Sequence, residues 1–167
     1  MDRQIDYKVE QQPDGQLLAT VTLNYFHRGN LDWKTSRYQS YTRIYVPQGS
    51  ILVRSSGGGA GSQTSGDENG RTFFGAYITV APRGTGKVEF QYRLPKQLSD
   101  NINTYKNYGL LIQKQPGAGN SRITVDAAFH NAIQSYDPVN LATALKEPNR
   151  IVSTGDLKID RRFLIKF

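Results

Sequence analysis

Tyr38-Gln39-Ser40-Tyr41-Thr42-Arg43-Ile44-Tyr45-Val46-Pro47-Gln48-Gly49-Ser50 is the stretch that decides the fold. Successive side chains on a strand point to opposite faces, so Ile44 and Val46 fall on one side while Tyr41, Arg43 and Tyr45 fall on the other. The apolar side turns inward and the Tyr-Arg-Tyr row turns outward. Pro47 has no N–H for a ladder, and Gly49 supplies the backbone freedom to turn into Ile51-Leu52-Val53. The segment therefore predicts a strand, a corner and a second strand.

The same period of two runs through most of the chain. Ile5, Tyr7 and Val9 alternate with polar residues up to the Pro13-Asp14-Gly15 turn, and Leu17 to Tyr25 resumes on one face, which predicts a hairpin. Phe73–Val80 and Val88–Leu94, joined through Ala81-Pro82-Arg83-Gly84, predict a second. Tyr108 to Gln115, closed by Pro116-Gly117 and followed by Ile123, Val125, Ala127 and Phe129, predicts a third. The last strand places Leu157, Ile159, Phe163, Ile165 and Phe167 on one face with Arg161 as the polar intruder, and Lys158, Asp160, Arg162 and Lys166 read as edge protection. Two stretches depart from the pattern. Residues 55–70 are Gly/Ser-rich without apolar anchors and read as a flexible loop. Residues 138–146 read as one short helix, with Asp137 as cap, Pro138 at its first position, Leu141, Ala142 and Leu145 on one face and Pro148 beyond its end.

Many short strands and one helix predict an all-β chain, an antiparallel β-sandwich of immunoglobulin-like or jelly-roll-like type, with a β-barrel as the alternative. A length of 167 residues fits a single domain spanning 1–167, able to bury roughly 70% of the surface its unfolded chain exposes. No cysteine is present, which excludes disulfides and thiolate chemistry. The formal charge is +7, yet the basic residues fall singly along alternating strands, so a solvated basic surface is favoured over specific nucleic-acid binding.

The sequence carries no catalytic, cofactor or metal motif. His27 and His130 lack neighbouring ligands and read as surface residues. Asp67-Glu68-Asn69-Gly70 lacks the ligand spacing of a calcium loop and reads as a solvated turn. Gly57-Gly58-Gly59 is followed by no Gly-Lys-Ser/Thr. Glu89, Asp126 and Asp160 fall on outward faces, and their spacing in the sequence does not mark out a pair of carboxyls held across a cleft. Aromatic side chains are the stronger signal: Trp33, Tyr41 and Tyr45, with Arg43 among them, form the candidate ligand-binding set. Such residues stack on sugar CH faces or anchor protein contacts, and equally stiffen an exposed sheet by cross-strand pairing.

The run from Trp33 through Tyr41-Thr42-Arg43-Ile44-Tyr45-Val46-Pro47-Gln48-Gly49-Ser50, with Phe74-Gly75, Tyr92-Arg93-Leu94-Pro95 and Leu111-Ile112-Gln113-Lys114-Gln115-Pro116-Gly117, resembles the C-terminal β-rich region of a family of bacterial envelope proteins of unknown function, in which a membrane-spanning helix and a long helical region come first. The resemblance implies an extracytoplasmic module at the cell surface, excised from a longer protein and held to the membrane only through an upstream anchor, with no catalytic residues to carry over. The expected function is non-enzymatic adhesion, scaffolding or protein contact, alternatively carbohydrate binding to wall or capsular polymer. Its expected partners are an envelope polysaccharide or another envelope protein, and a monomer is expected.

Overall fold

A computed structural model describes residues 1–33, 36–59, 61–117, 119–138 and 141–167. In chain order the elements are β1 (Asp2–Gln11), β2 (Leu17–Phe26), β3 (Tyr38–Pro47), β4 (Ile51–Gly57), β5 (Thr64–Glu68), β6 (Arg71–Val80), β7 (Thr85–Arg93), α1 (Lys96–Tyr105), β8 (Asn107–Ile112), β9 (Arg122–Ala128), β10 (Ser135–Pro138), β11 (Ala142–Glu147), β12 (Arg150–Asp156) and β13 (Arg161–Lys166). A seven-stranded sheet runs β11-β12-β9-β1-β2-β7-β4, and two three-stranded sheets run β3-β6-β5 and β10-β13-β8. The fold is an all-β sandwich of open sheets, without a closed barrel.

Alternation built the core. Leu17, Ala19, Val21, Leu23 and Tyr25 on β2 are buried, as are Val88, Phe90 and Tyr92 on β7 and Ile123, Val125 and Ala127 on β9. That single face of the large sheet is roofed by the two small sheets. Phe74 on β6 meets Phe90 and Tyr92 at ring-centroid distances of 6.3 and 5.4 Å. Tyr108 on β8 donates to or accepts from the phenol of Tyr7 on β1 at 2.7 Å, and its ring lies 5.2 Å from that of Phe129. Burial pushes both phenols up, Tyr7 well above the ordinary range and Tyr108 to about 12.

The β1–β2 hairpin is observed, in register from Asp2↔Phe26 to Gln11↔Leu17. So is the corner after Pro47, which hands the chain from a small sheet to the edge of the large one. The other two expected hairpins are not. β6 pairs with β3 and β5, whereas β7 pairs with β2 and β4, so the turn at Ala81–Gly84 crosses between sheets. It is held from outside the two strands by His27 N–H to the Gly84 carbonyl (2.9 Å) and Arg83 N–H to the Gly29 carbonyl (3.1 Å). β8 pairs with β13, and β9 pairs with β12 and, in parallel, with β1. The sandwich is therefore antiparallel except at the β1–β9 ladder. Alternation states which face of a strand is buried but not which strand lies beside it, and a turn between facing sheets leaves the same pattern as a hairpin.

The expected helix at 138–146 is corrected. Residues 139 and 140 lie outside the described residues, and Ala142–Glu147 is β11, paired antiparallel with β12 across Pro148-Asn149. Thr143 and Ser153 share a cross-strand hydroxyl hydrogen bond at 2.7 Å. The strand partner outweighed a weak helical pattern of a single turn and a half. The helix instead follows Pro95: Leu98 and Ile102 are one helical turn apart, Ile102 is buried, and Lys106 in the left-handed conformation (φ 54°) ends it, its N–H bonding the Ile102 carbonyl at 3.0 Å. The expected loop over 55–70 also holds structure, since residues 55–57 complete β4 and Thr64–Glu68 is β5; residue 60 lies outside the described residues. Finally, β13 is the central strand of its sheet, so its charges guard no edge. Arg161 on it is buried, and its guanidinium donates to the Asp156 carboxylate (2.6 Å) and backbone carbonyl (2.8 Å).

Candidate functional site

Because β3 alternates, Tyr41, Arg43 and Tyr45 emerge on the outer face of the β3-β6-β5 sheet, while Val46 is buried and Ile44 packs on the core. Register then decides their neighbours. Tyr41 lies opposite Tyr77, Arg43 opposite Gly75 and Tyr45 opposite Phe73. On the other side of β6, Thr64 lies opposite Gly75 and Gly66 opposite Phe73. Three strands thus bring to one face residues that are far apart in sequence.

The side chains stack along β3. The Tyr77 and Tyr41 rings are 4.7 Å apart, the Arg43 guanidinium lies 5.1 Å from the Tyr41 ring and 4.5 Å from the Phe73 ring, and Phe73 is 6.2 Å from Tyr45. The order across the face is therefore Tyr77, Tyr41, Arg43, Phe73, Tyr45, with a cation between two aromatic faces. Two glycines make room for it. A Cβ on Gly75 would stand 2.5 Å from the Tyr41 hydroxyl oxygen, and one on Gly66 would stand 2.9 Å from Phe73 Cε1, so both rings lie down over bare backbone.

Glu68 at the end of β5 ties the row. Its Oε2 accepts from Arg43 Nη1 at 3.1 Å and from the Tyr45 hydroxyl at 3.0 Å, and Arg43 Nη1 is also 3.5 Å from that hydroxyl. The Tyr41 hydroxyl bonds the Thr64 hydroxyl. Hydrogen bonding from Thr64 and then Arg43 lowers the Tyr41 phenol from its ordinary value, and hydrogen bonds to Tyr45 and then Tyr41 push the Arg43 guanidinium above its own, so it stays charged. Tyr45 and Tyr77 remain 49% and 59% exposed, so the row presents ring surface to solvent while its members hold one another in place.

Of the four residues expected from the sequence, the structure brings Tyr41, Arg43 and Tyr45 together. Trp33 stands in the connection between β2 and β3, 89% exposed, off the strand that carries the other three. Sequence reasoning missed Phe73, Tyr77, Thr64 and Glu68. A signal for them existed: Asn69-Gly70 between Asp67-Glu68 and the Phe73–Val80 run is the preferred pair for a two-residue hairpin turn, and counting back from it sets Glu68 beside Arg71 and Gly66 beside Phe73. Asn69 (φ 51°) and Gly70 (φ 70°) adopt the left-handed backbone such a turn demands.

Elsewhere the surface offers less. An open depression of about 380 Å³ lies between Ala132-Ile133 and Leu145–Pro148, where Lys146 and Glu147 are the only charged lining residues. It shares no residue with the aromatic row and gathers no convergent polar groups. Among the described residues no three His, Asp or Glu side chains converge to hold a metal ion. The acids at Glu89 and Asp126 are taken up by Lys87 (2.7 Å) and Arg150 (2.7 Å), and Asp160 accepts the Lys114 N–H at 2.7 Å.

No protein family and no curated protein matches the chain in sequence. In fold it is similar to a candidate nutrient binding protein from Legionella pneumophila, with a TM-score of 0.52 and 10% identity over 98% of this chain and 65% of that one. An M1 zinc metallopeptidase from Deinococcus radiodurans gives a TM-score of 0.44 at 12% identity over 99% of this chain and 41% of the peptidase. The chain thus spans 65% of the Legionella protein's length and 41% of the peptidase's. At these identities the Legionella likeness speaks for the fold alone, and the peptidase likeness carries no argument.

Proposed function

We propose that this chain is a non-enzymatic binding module of the extracytoplasmic part of a bacterial cell-envelope protein, and that the outer face of the β3-β6-β5 sheet is its contact surface for adhesion, scaffolding or protein contact. One observation carries the reading: the aromatic row on that face is held rigid by Arg43 and Glu68 yet leaves Tyr45 and Tyr77 about half exposed. Tyr and Arg supply most of the binding energy at protein interfaces. A row whose rotamers are already fixed loses little side-chain entropy when a partner arrives. The envelope setting rests on the resemblance carried above all by residues 41–50 and 113–117. The description of the Legionella protein as a candidate nutrient binder agrees with a binding role, through a shared fold only.

The test is retention of the purified chain on detergent-washed envelope, compared with Arg43→Ala/Tyr45→Ala/Tyr77→Ala. All three side chains are exposed, so the variant keeps its fold, which circular dichroism and a melt verify. Loss of retention in the folded variant supports the proposal, and unchanged retention removes this face from the function.

The flat-lying rings of Tyr41 and Phe73 favour a second reading, binding of wall or capsular polysaccharide, whose CH faces stack on aromatic faces. Retention on insoluble glycopolymer at low salt and near 0.5 M salt, where the Debye length is only about 4 Å, separates the readings. Stacking persists at high salt, whereas attraction to the basic surface does not.

A further inference from the structure

We infer that Asn69-Gly70 is a site of spontaneous covalent modification, at which the β5–β6 turn deamidates and the aromatic row loses its tie to Glu68. Asn69 is the one asparagine in the chain followed by glycine. Both residues are exposed at the tip of a two-residue turn. Nothing beyond the two chain neighbours lies within 4 Å of where a Gly70 Cβ would be, so the turn stands open on that side and Gly70 adds no side chain of its own beside the Asn69 amide.

The chemistry needs only water. The Gly70 amide nitrogen, giving up its proton, attacks Cγ of Asn69 and closes a five-membered imide, while Nδ2 leaves with that proton as ammonia. Water then adds to one of the two imide carbonyls. Opening at one leaves an ordinary aspartate in an unaltered main chain, and opening at the other gives isoaspartate, whose main chain runs through the former side-chain carbon. One water is consumed, one ammonia is released, and nothing is oxidised or reduced.

Geometry sets the rate. Closing the imide requires Asn69 to leave the left-handed backbone of the turn, so the reaction proceeds from a hairpin that has opened locally. Here opening is cheap. β5 has five residues, includes Gly66 in its interior, and pairs with β6 alone, at the edge of its sheet. At the foot of the turn one side-chain bond joins the two strands, from the Thr72 hydroxyl on β6 to Asp67 on β5 at 2.6 Å, and it breaks when the hairpin opens; the same hydroxyl accepts the Gly49 N–H at 3.0 Å, which keeps Thr72 in place.

The two products act differently on the site. Aspartate adds one negative charge next to Glu68 and keeps the ladder. Isoaspartate adds a methylene to a turn that admits two residues, so the Glu68↔Arg71 pairing cannot be kept. The Glu68 carboxylate then withdraws from Arg43 and Tyr45 together, because one oxygen serves both. This consequence follows from the contacts of Glu68 whatever the row binds.

The experiment is incubation of the whole protein in warm, mildly alkaline buffer, followed by peptide mapping and by separation of the charge forms. The expected result is a gain of one mass unit at Asn69 before any other asparagine, in two chromatographically distinct products, and no such gain in the Asn69→Gln protein at that position. The isoaspartyl form should melt below the Asn69→Asp variant, which carries the charge without the extra methylene. First modification at another asparagine, or an Asn69 that stays intact while a synthetic peptide covering residues 66–73 converts, would overturn the assignment. Equal melting of the isoaspartyl form and Asn69→Asp would overturn the loss of the Glu68 tie.

Discussion

The buried phenol pair between Tyr7 and Tyr108 lends itself to a quantitative test, because each hydroxyl finds its partner in the other at 2.7 Å and both are sealed between β1 of the large sheet and β8 of a small one. Tyr7→Phe removes one oxygen and no ring, so packing is kept and the change isolates the hydrogen bond. The Tyr108 hydroxyl is left buried with no acceptor, a cost of about 1–2 kcal/mol. In a chain of this length each kcal/mol moves the melting temperature by about 2–4 °C, so the variant should melt about 2–8 °C lower. Tyr108→Phe should do the same. Tyr7→Phe/Tyr108→Phe removes donor and acceptor together and leaves two rings of native shape, so it should recover to within about 0.5 kcal/mol of the parent. Thermal and urea unfolding of the four proteins completes the cycle. A double variant that is as unstable as the two single variants added together would refute the reasoning, since it would mean that the hydroxyls act independently.

The same burial predicts a pH dependence. Both phenols titrate above their ordinary value of 10 when folded, Tyr108 at about 12, because burial disfavours the phenolate. The stability they contribute is therefore complete below pH about 10 and is lost as pH rises through the folded values; alkaline unfolding should set in between pH about 10 and 12 and be absent below. A protein whose urea midpoint already falls between pH 8 and 9 would contradict it. Phe74→Ala empties the space facing Phe90 and Tyr92 and should cost about 3–5 kcal/mol in denaturant unfolding. Gly75→Ala should act oppositely: its Cβ displaces the ends of the Tyr41 and Thr64 side chains and no backbone, so stability changes by less than about 1 kcal/mol while retention on the envelope falls as far as in Tyr41→Ala. A Gly75→Ala protein that binds fully would separate the flat-lying ring from the function.

What the sequence made legible was what a single strand can carry. Ile44, Val46 and the row Tyr41, Arg43 and Tyr45 sort themselves by alternation, and so do Phe163 and Ile165 around the buried Arg161. Strand order was not legible, because neighbours in a sheet are chosen by packing of whole faces. Nothing local in Phe73–Val80 distinguishes a hairpin with β7 from a crossing to the opposite layer, and nothing in Asp2–Gln11 announces a parallel partner more than a hundred residues away. The helix was misplaced for a related reason. Leu141, Ala142 and Leu145 offered a helical face, but pairing with β12 satisfied alternate residues of the strand and joined it to the large sheet, and Pro95 marked the true helix start in a stretch with only Leu98 and Ile102 as apolar anchors. Half of the candidate site came from β5 and β6 through register, with Glu68 meeting Arg43 across 25 residues of sequence.

The two outer faces of the sandwich argue that the aromatic row is more than sheet stiffening. On the large sheet the outward residues form a polar ladder: Asn24 and Gln4 donate to Asp6, Thr22 and Lys87 hold Glu89, and Arg150 clasps Asp126 with two hydrogen bonds. Such cross-strand pairs hold register at no cost in exposed apolar area. The small sheet uses the same device at Arg43–Glu68 and Tyr41–Thr64, but sets aromatic pairs among these bonds. Its two aromatic pairs are worth about 0.5–1.5 kcal/mol each beyond burial, a real contribution to three strands. Yet a ring paired for stability alone gains most by lying down completely, as Tyr41 and Phe73 do over Gly75 and Gly66. Tyr45 and Tyr77, at the two ends of the row, keep about half of their surface in water. Exposed apolar surface of this kind is neutral for folding and favourable for a partner, and at the Tyr45 end it is held by the bond to Glu68.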